Sequence, residues 1–221
     1  MAQRFIISGT GPGAGRTTVG CALAFAFKVR ARRVGVMKPA ATGCVERDGV
    51  LAADDAAALL AGASSDLPLE LASPYRYRSA RAPLDAARAD GTAPPDYAAI
   101  DRALRQIESQ SDAVIVEDTY GLEAKLDAAH DFADLAFAHG LELILVVGRR
   151  PGYADAAINA LQFAARRGIT VRGAILNALD REASAAIVSA AEALARATGA
   201  RILGTVRFKE PLSLAIVQQL L

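Results

Sequence analysis

A glycine-rich loop between an apolar segment and a helical segment constrains the fold of this chain more than any other feature. Residues 4–8 predict a strand, and the loop Gly-Thr-Gly-Pro-Gly-Ala-Gly-Arg-Thr-Thr spans residues 9–18 before an Ala-rich helix. Backbone N–H groups of such a loop converge on an anion, and the positive end of the helix dipole adds to them. Thr17 lies where a loop hydroxyl contacts Mg²⁺. The residues predicted to bind nucleotide phosphates are Gly11, Pro12, Gly13, Ala14, Gly15, Arg16, Thr17 and Thr18.

Two details of this loop depart from the common phosphate-loop pattern. Five residues separate Gly9 from Gly15, and Arg16 stands where a lysine is expected. Arginine keeps the charge and can bind phosphate bidentately, but it is bulkier than lysine. A dinucleotide-binding loop is the alternative, since Gly9, Gly11 and Ala14 meet its looser spacing. No acidic residue ends the second strand, which is the other half of that fingerprint. A purely structural glycine turn is the third interpretation.

Short apolar runs alternate with helical patterns along the rest of the chain, which predicts βαβ units and a parallel sheet. The expected fold is therefore α/β, a three-layer fold of the P-loop NTPase type with a mostly parallel central sheet flanked by helices, in one domain over residues 1–221. With 52% hydrophobic and 5% aromatic residues, the predicted core is aliphatic. Strands are predicted at residues 4–8, 34–37, 113–117, 143–147, 171–176 and 201–206, and helices at 17–30, 54–61, 97–109, 132–139, 154–167 and 181–197. Residues 62–95 are predicted as a long structured loop, with a disordered linker as the alternative.

Charge and hydropathy exclude several classes of function. Lys and Arg number 25 against 24 Asp and Glu, and no basic stripe is present, so we expect no nucleic-acid partner. No signal-peptide pattern and no apolar run near the ~20 residues of a membrane span are found, so we expect no membrane association and a cytoplasmic protein. Cys21 and Cys44 lack metal-ligand spacing and are interpreted as packing residues. His130 and His139 are interpreted as solvated or capping residues.

Charged residues at the ends of two strands extend the predicted site. Lys38 ends the second strand, and Glu117 ends the third after an apolar run. Ligands bind at the carboxyl ends of strands in open α/β sheets, and a carboxylate there suits a Mg²⁺ ion. Asp54 and Asp55 precede an Ala-rich run, where a helix N-terminus also favours acids. A solvated strand-end charge is the alternative for Lys38, and helix capping is the alternative for Asp55.

These motifs together resemble the dethiobiotin synthetase family. The resemblance is carried by the longer glycine loop, by Lys-Pro-Ala-Ala-Thr-Gly at residues 38–43 and by the strand ending in Val-Glu at 116–117. It extends over most of the chain, through Pro-Tyr-Arg-Tyr at 74–77, Asp-Phe-Ala-Asp-Leu-Ala at 131–136, Leu-Val-Val-Gly at 145–148 and Leu-Asn at 176–177. The resemblance implies an ATP- and Mg²⁺-dependent ligase that forms a cyclic urea from 7,8-diaminononanoate and CO₂ or bicarbonate through a phosphorylated carbamate. It also implies a homodimer.

The resemblance assigns roles to particular residues. Lys38, Arg16 and Thr42 are the implied catalytic residues: Lys38 holds carbamate and γ-phosphate, Arg16 takes the place of the loop lysine, and Thr42 contacts substrate. The implied metal ligands are Thr17, Asp55 and Glu117. Asn177 matches an adenine-recognising asparagine, although an asparagine can also end a strand by bonding its own backbone.

The chain departs from the family pattern at ligand-facing positions. The family's Gly-Ala-Gly-Gly run after Val-Glu is replaced by Asp-Thr-Tyr-Gly at residues 118–121, so Tyr120 is expected to fill or reshape the substrate pocket. The family's Gly-Cys-Ile-Asn-His segment is replaced by Gly-Tyr-Ala-Asp-Ala at 152–156, and Ser-Pro-His by Ala-Pro-Leu at 82–84. Two alternatives therefore remain open: a divergent relative acting on another small amine or acid, and a catalytically impaired nucleotide-binding protein.

Overall fold

A six-stranded parallel sheet forms the centre of the protein in the computed structural model, which describes residues 3–30 and 32–220. The strands are β1 Gln3–Gly9, β2 Val34–Met37, β3 Ala40–Thr42, β4 Val45–Arg47, β5 Val50–Ala52, β6 Tyr75–Tyr77, β7 Ala113–Glu117, β8 Glu142–Arg149, β9 Val171–Ala178 and β10 Ile202–Val206. The helices are α1 Arg16–Lys28, α2 Asp54–Ala63, α3 Leu69–Ala72, α4 Pro83–Asp90, α5 Tyr97–Ser109, α6 Phe132–Ala138, α7 Tyr153–Arg166, α8 Arg181–Ala185, α9 Ile187–Thr198 and α10 Leu214–Gln218.

The order of the strands places β1 in the interior of the sheet. The order is β10-β9-β8-β1-β7-β2, with every pairing parallel. Ile7 of β1 is in register with Glu117 of β7, and Gly9 with Val146 of β8. Because all strands point the same way, the loops that follow β1, β7 and β2 meet at one edge. The glycine loop thus lies between the end of β7 and the end of β8.

Two hydrophobic cores cover the two faces of the sheet. Successive side chains of a strand point to opposite faces, and β1 shows the alternation: Phe5 and Ile7 pack with α1 and α2, whereas Ile6 packs with α5, α6 and α7. The strands are almost wholly buried and aliphatic, as parallel strands covered on both faces must be. The predicted three-layer α/β architecture is confirmed.

The predicted strands and helices all exist, with shifts at their ends. The strands at 34–37 and 113–117 and the helix at 97–109 have the predicted bounds. The predicted helix 181–197 is divided at Ala186, whose backbone leaves the helical region at φ −109° and ψ 16°. The hydroxyl of Ser184 accepts a hydrogen bond from the backbone N–H of Phe208 beside the break.

The segment 62–95 is folded, which makes the linker alternative wrong. It contains α3, β6 and α4, and β6 pairs in parallel with β3 so that Ala40 faces Tyr75 and Thr42 faces Tyr77. The antiparallel pair β4–β5 stands beside it. This second small layer packs around the residues that follow Lys38.

His139 ends α6, as the capping interpretation proposed, but it is buried instead of solvated. Its two ring nitrogens lie 3.1 Å from Glu108 Oε1 and 3.0 Å from Asp101 Oδ1, which ties α6 to α5. No helix within residues 3–30 and 32–220 combines the length and the apolar character that crossing a bilayer requires.

Candidate functional site

The glycine loop adopts a conformation that depends on its glycines. Gly11, Gly13 and Gly15 have φ of 146°, 69° and 102°, in the region that side chains disfavour. Ala14 is buried between them, and α1 begins directly after Gly15. The loop N–H groups and the α1 N-terminus form the concave, electropositive backbone that phosphate binding requires.

Four predicted site residues meet beside this loop. Lys38 follows β2, Glu117 ends β7, and Thr17 and Asp55 are the second residues of α1 and α2. Lys38 Nζ lies 2.6 Å from Glu117 Oε1 and 3.1 Å from Asp55 Oδ2. The Thr17 hydroxyl lies 3.0 Å from Glu117 Oε1 and 3.1 Å from Asp55 Oδ1. Two strands and two helices thus converge on one charged cluster, which we call the Lys38 cluster (Thr17, Lys38, Asp55 and Glu117).

Burial distinguishes the members of the Lys38 cluster. The side chains of Lys38 and Glu117 are 2% and 1% exposed, whereas Asp55 is 50% exposed. Lys38 is therefore not a solvated strand-end charge, and that alternative is wrong. Burial alone raises the pKa of Asp55, but the charge and hydrogen bond of Lys38 outweigh it and hold the pKa below its usual value. The residue at the N-cap of α2 is Ala53 and no side chain caps the helix, so Asp55 is not a capping residue, although it lies in the first turn, where the helix dipole favours an acid.

The two carboxylates and the hydroxyl of the Lys38 cluster suit a small divalent cation. Glu117 Oε2 is buried and has no hydrogen-bond partner among the described residues, so one lone pair of a buried carboxylate is available. Mg²⁺ is commonly bound through one or two carboxylates together with substrate phosphates and water. Within residues 3–30 and 32–220, no three His, Cys, Asp or Glu side chains are grouped to hold a metal by themselves.

Asp118 also lies beside the glycine loop, although it was not among the predicted site residues. Its side chain is fully buried, and its Oδ1 lies 3.6 Å from Arg16 Nε. Burial raises the pKa of Asp118 to about 6, against the lowering effects of Arg16, the Ser8 hydroxyl and Lys38. A signal was present in the sequence: a second acid directly after Glu117, facing a loop in which the usual lysine is an arginine.

Two further predicted residues lie at the margins. Asn177, at the end of β9, donates from Nδ2 to the carbonyl of Ala14 at 2.9 Å, so it bonds the glycine loop and not its own backbone. A Cβ at Gly15 would collide with this amide. Thr42 ends β3, four residues after Lys38, and its hydroxyl makes no hydrogen bond within the described part of the chain. Thr18 is exposed at the start of α1.

Tyr120 adopts a strained conformation next to the loop. Its φ is 70°, which is rare for an aromatic residue, and its hydroxyl donates to the carbonyl of Ala80. It lines a cavity of about 300 Å³ with Thr10, Gly11 and Phe163, and it also borders an open groove that contains Arg81. Tyr120 therefore borders both spaces.

A second cavity lies on the other side of the loop. It measures about 630 Å³ and is lined by Arg149, Arg150, Tyr153 and Asp180, among others. Arg150 Nη2 donates to the Pro12 carbonyl at 2.8 Å, which joins the end of β8 to the glycine loop. Burial raises the pKa of the Cys21 thiol to about 11, which disfavours the reactive thiolate at neutral pH.

The sheet order and the loop–helix junction define a nucleotide-binding α/β protein of the P-loop class. Solved structures agree at the level of fold: a MinC:MinD cell division protein complex from Aquifex aeolicus matches with TM-score 0.59 and 14% identity, over 99% of this chain and 86% of that one. A ParA family ATPase from Chlorobium tepidum matches with TM-score 0.54 and 14% identity, over 99% and 89%.

Sequence comparison identifies the family within that class. A family model described as an AAA domain matches residues 3–215. The ATP-dependent dethiobiotin synthetase BioD of Aromatoleum aromaticum is 37% identical over 204 residues, which are 92% of this chain and 90% of that protein. The chain belongs to the dethiobiotin synthetase family. The resemblance drawn from the sequence is confirmed.

Proposed function

We propose that this protein is an ATP- and Mg²⁺-dependent ligase that forms a cyclic urea from 7,8-diaminononanoate and CO₂ or bicarbonate. The observation that carries the proposal is the Lys38 cluster beside the glycine loop, in a member of the dethiobiotin synthetase family. An anionic carbamate that meets the γ-phosphate of ATP brings negative charges together. A buried ammonium and a cation site are what such a reaction needs.

The reaction assigns a role to Lys38 and to three residues outside the Lys38 cluster. One amine takes up CO₂ as a carbamate, and a carbamate oxygen attacks the γ-phosphorus with release of ADP. The second amine then attacks the carbonyl carbon, which closes the ring and releases phosphate. Lys38 neutralises carbamate and γ-phosphate, and Arg16 binds the phosphates in place of the loop lysine. Thr42 contacts the substrate, while Asn177 contacts the adenine edge.

Thr17, Asp55 and Glu117 would hold Mg²⁺. Bound there with phosphate oxygens, the ion would neutralise charge on the β- and γ-phosphates. Lys38 now lies between the two carboxylates and offsets one of their two negative charges. In the reacting complex we expect its ammonium to turn from these acids towards the substrate, and the divalent ion would then neutralise both carboxylates.

The direct test measures ADP release by the purified protein with Mg-ATP, bicarbonate and 7,8-diaminononanoate, with the cyclic urea identified by mass. We expect ADP release that requires the diamine, with one urea formed per ADP. Omission of bicarbonate should abolish both products. ADP release that ignores the diamine would refute the ligase assignment.

Adjacent acids provide a matched pair of variants. Asp55→Asn removes a charge that touches Lys38 and Thr17, whereas Asp54→Asn removes one that pairs with Arg47 at the surface. We expect Asp55→Asn to lower kcat/KM about a hundredfold, in line with the loss of about 2.7 kcal/mol of electrostatic stabilisation. Asp54→Asn should stay within about twofold of wild type because exposed pairs contribute little. Equal effects of the two substitutions on kcat/KM would show that Asp55 has no role in the reaction.

A second candidate function is favoured by Tyr120. Its ring occupies space that the family leaves to glycine, which supports a divergent relative acting on a different small amine or acid. Turnover with a shorter diamine, and none with 7,8-diaminononanoate, would select this candidate. ATP binding without turnover on any amine would indicate a catalytically impaired nucleotide-binding protein.

We further propose that residues 1–221 act as one domain, in a homodimer, in the cytoplasm, with small molecules as the only substrates. The dimer follows from the family resemblance. Light scattering on the purified protein tests it, and a monomeric mass at micromolar concentration would contradict it. Such a result would also exclude a substrate site shared between subunits.

A further inference from the structure

The two departures from the family pattern at positions 16 and 118 meet in space. Arg16 replaces the loop lysine, and Asp118 replaces the first glycine after Glu117. Arg16 Nε and Asp118 Oδ1 lie 3.6 Å apart, in an ion pair whose side chains are 11% and 0% exposed. Position 16 thus keeps the positive charge of the family's lysine, and position 118, which is 102 residues away in the sequence, carries a negative charge that faces it.

The side chain of Arg16 folds back over the glycine loop. Its Nη1 donates to the carbonyl of Gly11 at 3.4 Å. A Cβ on Gly9 would lie 3.0 Å from both Cγ and Nη1 of Arg16, so the glycine leaves room for this path. Asp118 Oδ1 also accepts the N–H of Gly121 at 3.3 Å, which fixes the carboxylate to the turn after β7. The guanidinium therefore lies between the loop and that turn, in an ion pair with Asp118 that contains no hydrogen bond among the described residues.

The atom that faces Asp118 explains why lysine would not serve here. The Nε of arginine occupies the place in the side chain that lysine fills with its Cε methylene. A lysine at position 16 would present an apolar carbon to the buried carboxylate and carry its charge one bond farther out. A buried acid without a facing cation is costly, since burial disfavours the charged form.

We propose that Asp118 is the positioning residue for Arg16, and that the two form a coupled replacement for the family's lysine–glycine pair. Asp118 holds the guanidinium over the glycine loop, where its Nη atoms can bind the β- and γ-phosphates of a nucleotide. The proposal rests on the proposed nucleotide site. It also implies that restoring the lysine alone does not restore the family's phosphate binding.

A double-mutant cycle tests this coupling. The variants are Arg16→Lys, Asp118→Gly and the double variant, with Asp118→Asn as a size-matched loss of charge. We expect each single variant to weaken ATP binding about tenfold, and the double variant to return within about threefold of wild type. AMP, which lacks the β- and γ-phosphates, should bind all of them equally. A role of Asp118 in folding alone would weaken ATP and AMP together.

The exposed pair Arg33–Asp112, at the other end of β7, serves as the matched control. Arg33→Lys and Asp112→Asn should leave ATP affinity unchanged. Thermal unfolding without nucleotide measures the stability of the same variants at positions 16 and 118. The double variant should be more stable than the sum of the two single effects predicts.

Each outcome has a separate meaning. The coupling would be overturned if the two single variants acted independently, so that their fold-changes in ATP affinity multiply and their changes in the free energy of unfolding add in the double variant. Coupling in ATP affinity without any urea formation would refute the ligase assignment and leave the coupling intact. A wild-type protein that binds no ATP would overturn the nucleotide site and the inference together.

Discussion

The ion pair between Lys38 and Glu117 gives a prediction about folding that does not depend on the reaction. Lys38→Met removes the ammonium and keeps the apolar length of the side chain. The side chain of Glu117, which is 1% exposed, then lacks the ammonium whose Nζ lies 2.6 Å from its Oε1 in the wild type. Removal of one partner of a buried pair costs about 3–5 kcal/mol. Asp55 is half-exposed, so water replaces most of what it loses.

The expected decrease in melting temperature can be calculated from this free-energy cost and the length of the chain. For 150–250 residues, 1 kcal/mol shifts the Tm by about 2–4 °C, so Lys38→Met should melt about 6–20 °C below wild type. The assay is thermal unfolding followed by circular dichroism, without nucleotide or Mg²⁺, with urea unfolding as a second measure. The control Lys28→Met removes an exposed lysine and should change the free energy of unfolding by less than about 0.5 kcal/mol.

The double variant decides between charge and packing as the cause. Lys38→Met/Glu117→Gln removes the stranded carboxylate as well, so it should recover more than half of the lost stability. A Lys38→Met protein as stable as Lys28→Met would refute the buried pair. A double variant no more stable than Lys38→Met would show that lost packing, and not an unpaired acid, is responsible.

Three further predictions follow from other parts of the structure. Tyr120→Gly should relieve about 1 kcal/mol of backbone strain and raise kcat/KM most for the longest substrates in a series of vicinal diamino acids. Tyr120→Phe should keep the wild-type dependence of kcat/KM on chain length. The same dependence in both variants would contradict a limit on substrate length set by the ring. Gly15→Ala should weaken ATP binding by about tenfold or more, because its Cβ meets Asn177 at a φ of 102°; unchanged affinity by calorimetry would argue against this loop geometry. Burial raises the pKa of Asp131, but the hydrogen bond of Arg167 outweighs it and lowers the pKa, so this pair stabilises the fold above about pH 4 and is lost as the pH falls through the lowered value. The urea midpoints of wild type and Arg167→Gln should thus differ at pH 7 and converge below about pH 4. A difference between the two midpoints that stays constant with pH would show that the Asp131–Arg167 pair does not cause it.

The layers of the fold were predictable because they depend on local patterns. The apolar runs at 34–37 and 113–117 are short, continuous and rich in valine, and they became strands with those bounds. The split at Ala186 was not predictable, since an Ala-rich run contains no breaker. A contact with Phe208, remote in the sequence, accompanies the break. The β3–β6 pair was missed for the same reason, because each strand has three residues and requires the other.

The candidate site was predicted in part. Lys38 and Glu117 each follow a strong strand pattern, and the parallel sheet brings strand ends together, so their meeting was expected. Asp55 was ambiguous because acids also favour helix N-termini, and only the distances to Lys38 and Thr17 decide. The pairing of Asp118 with Arg16 was missed because each residue was considered as a separate departure from the family.

The strand order also has a consequence for synthesis of the chain. Strands β1, β2 and β7 and all four members of the Lys38 cluster lie within the first 117 residues, so one half of the sheet and its charged site can form early. On the side opposite β7, strand β1 can pair with β8 only after residues 142–149 leave the ribosome. Until then an apolar strand edge is exposed on a partly folded chain, which invites pairing with other strands. The two residues of the buried pair that joins the end of β2 to the end of β7, Lys38 and Glu117, are both synthesised before β8.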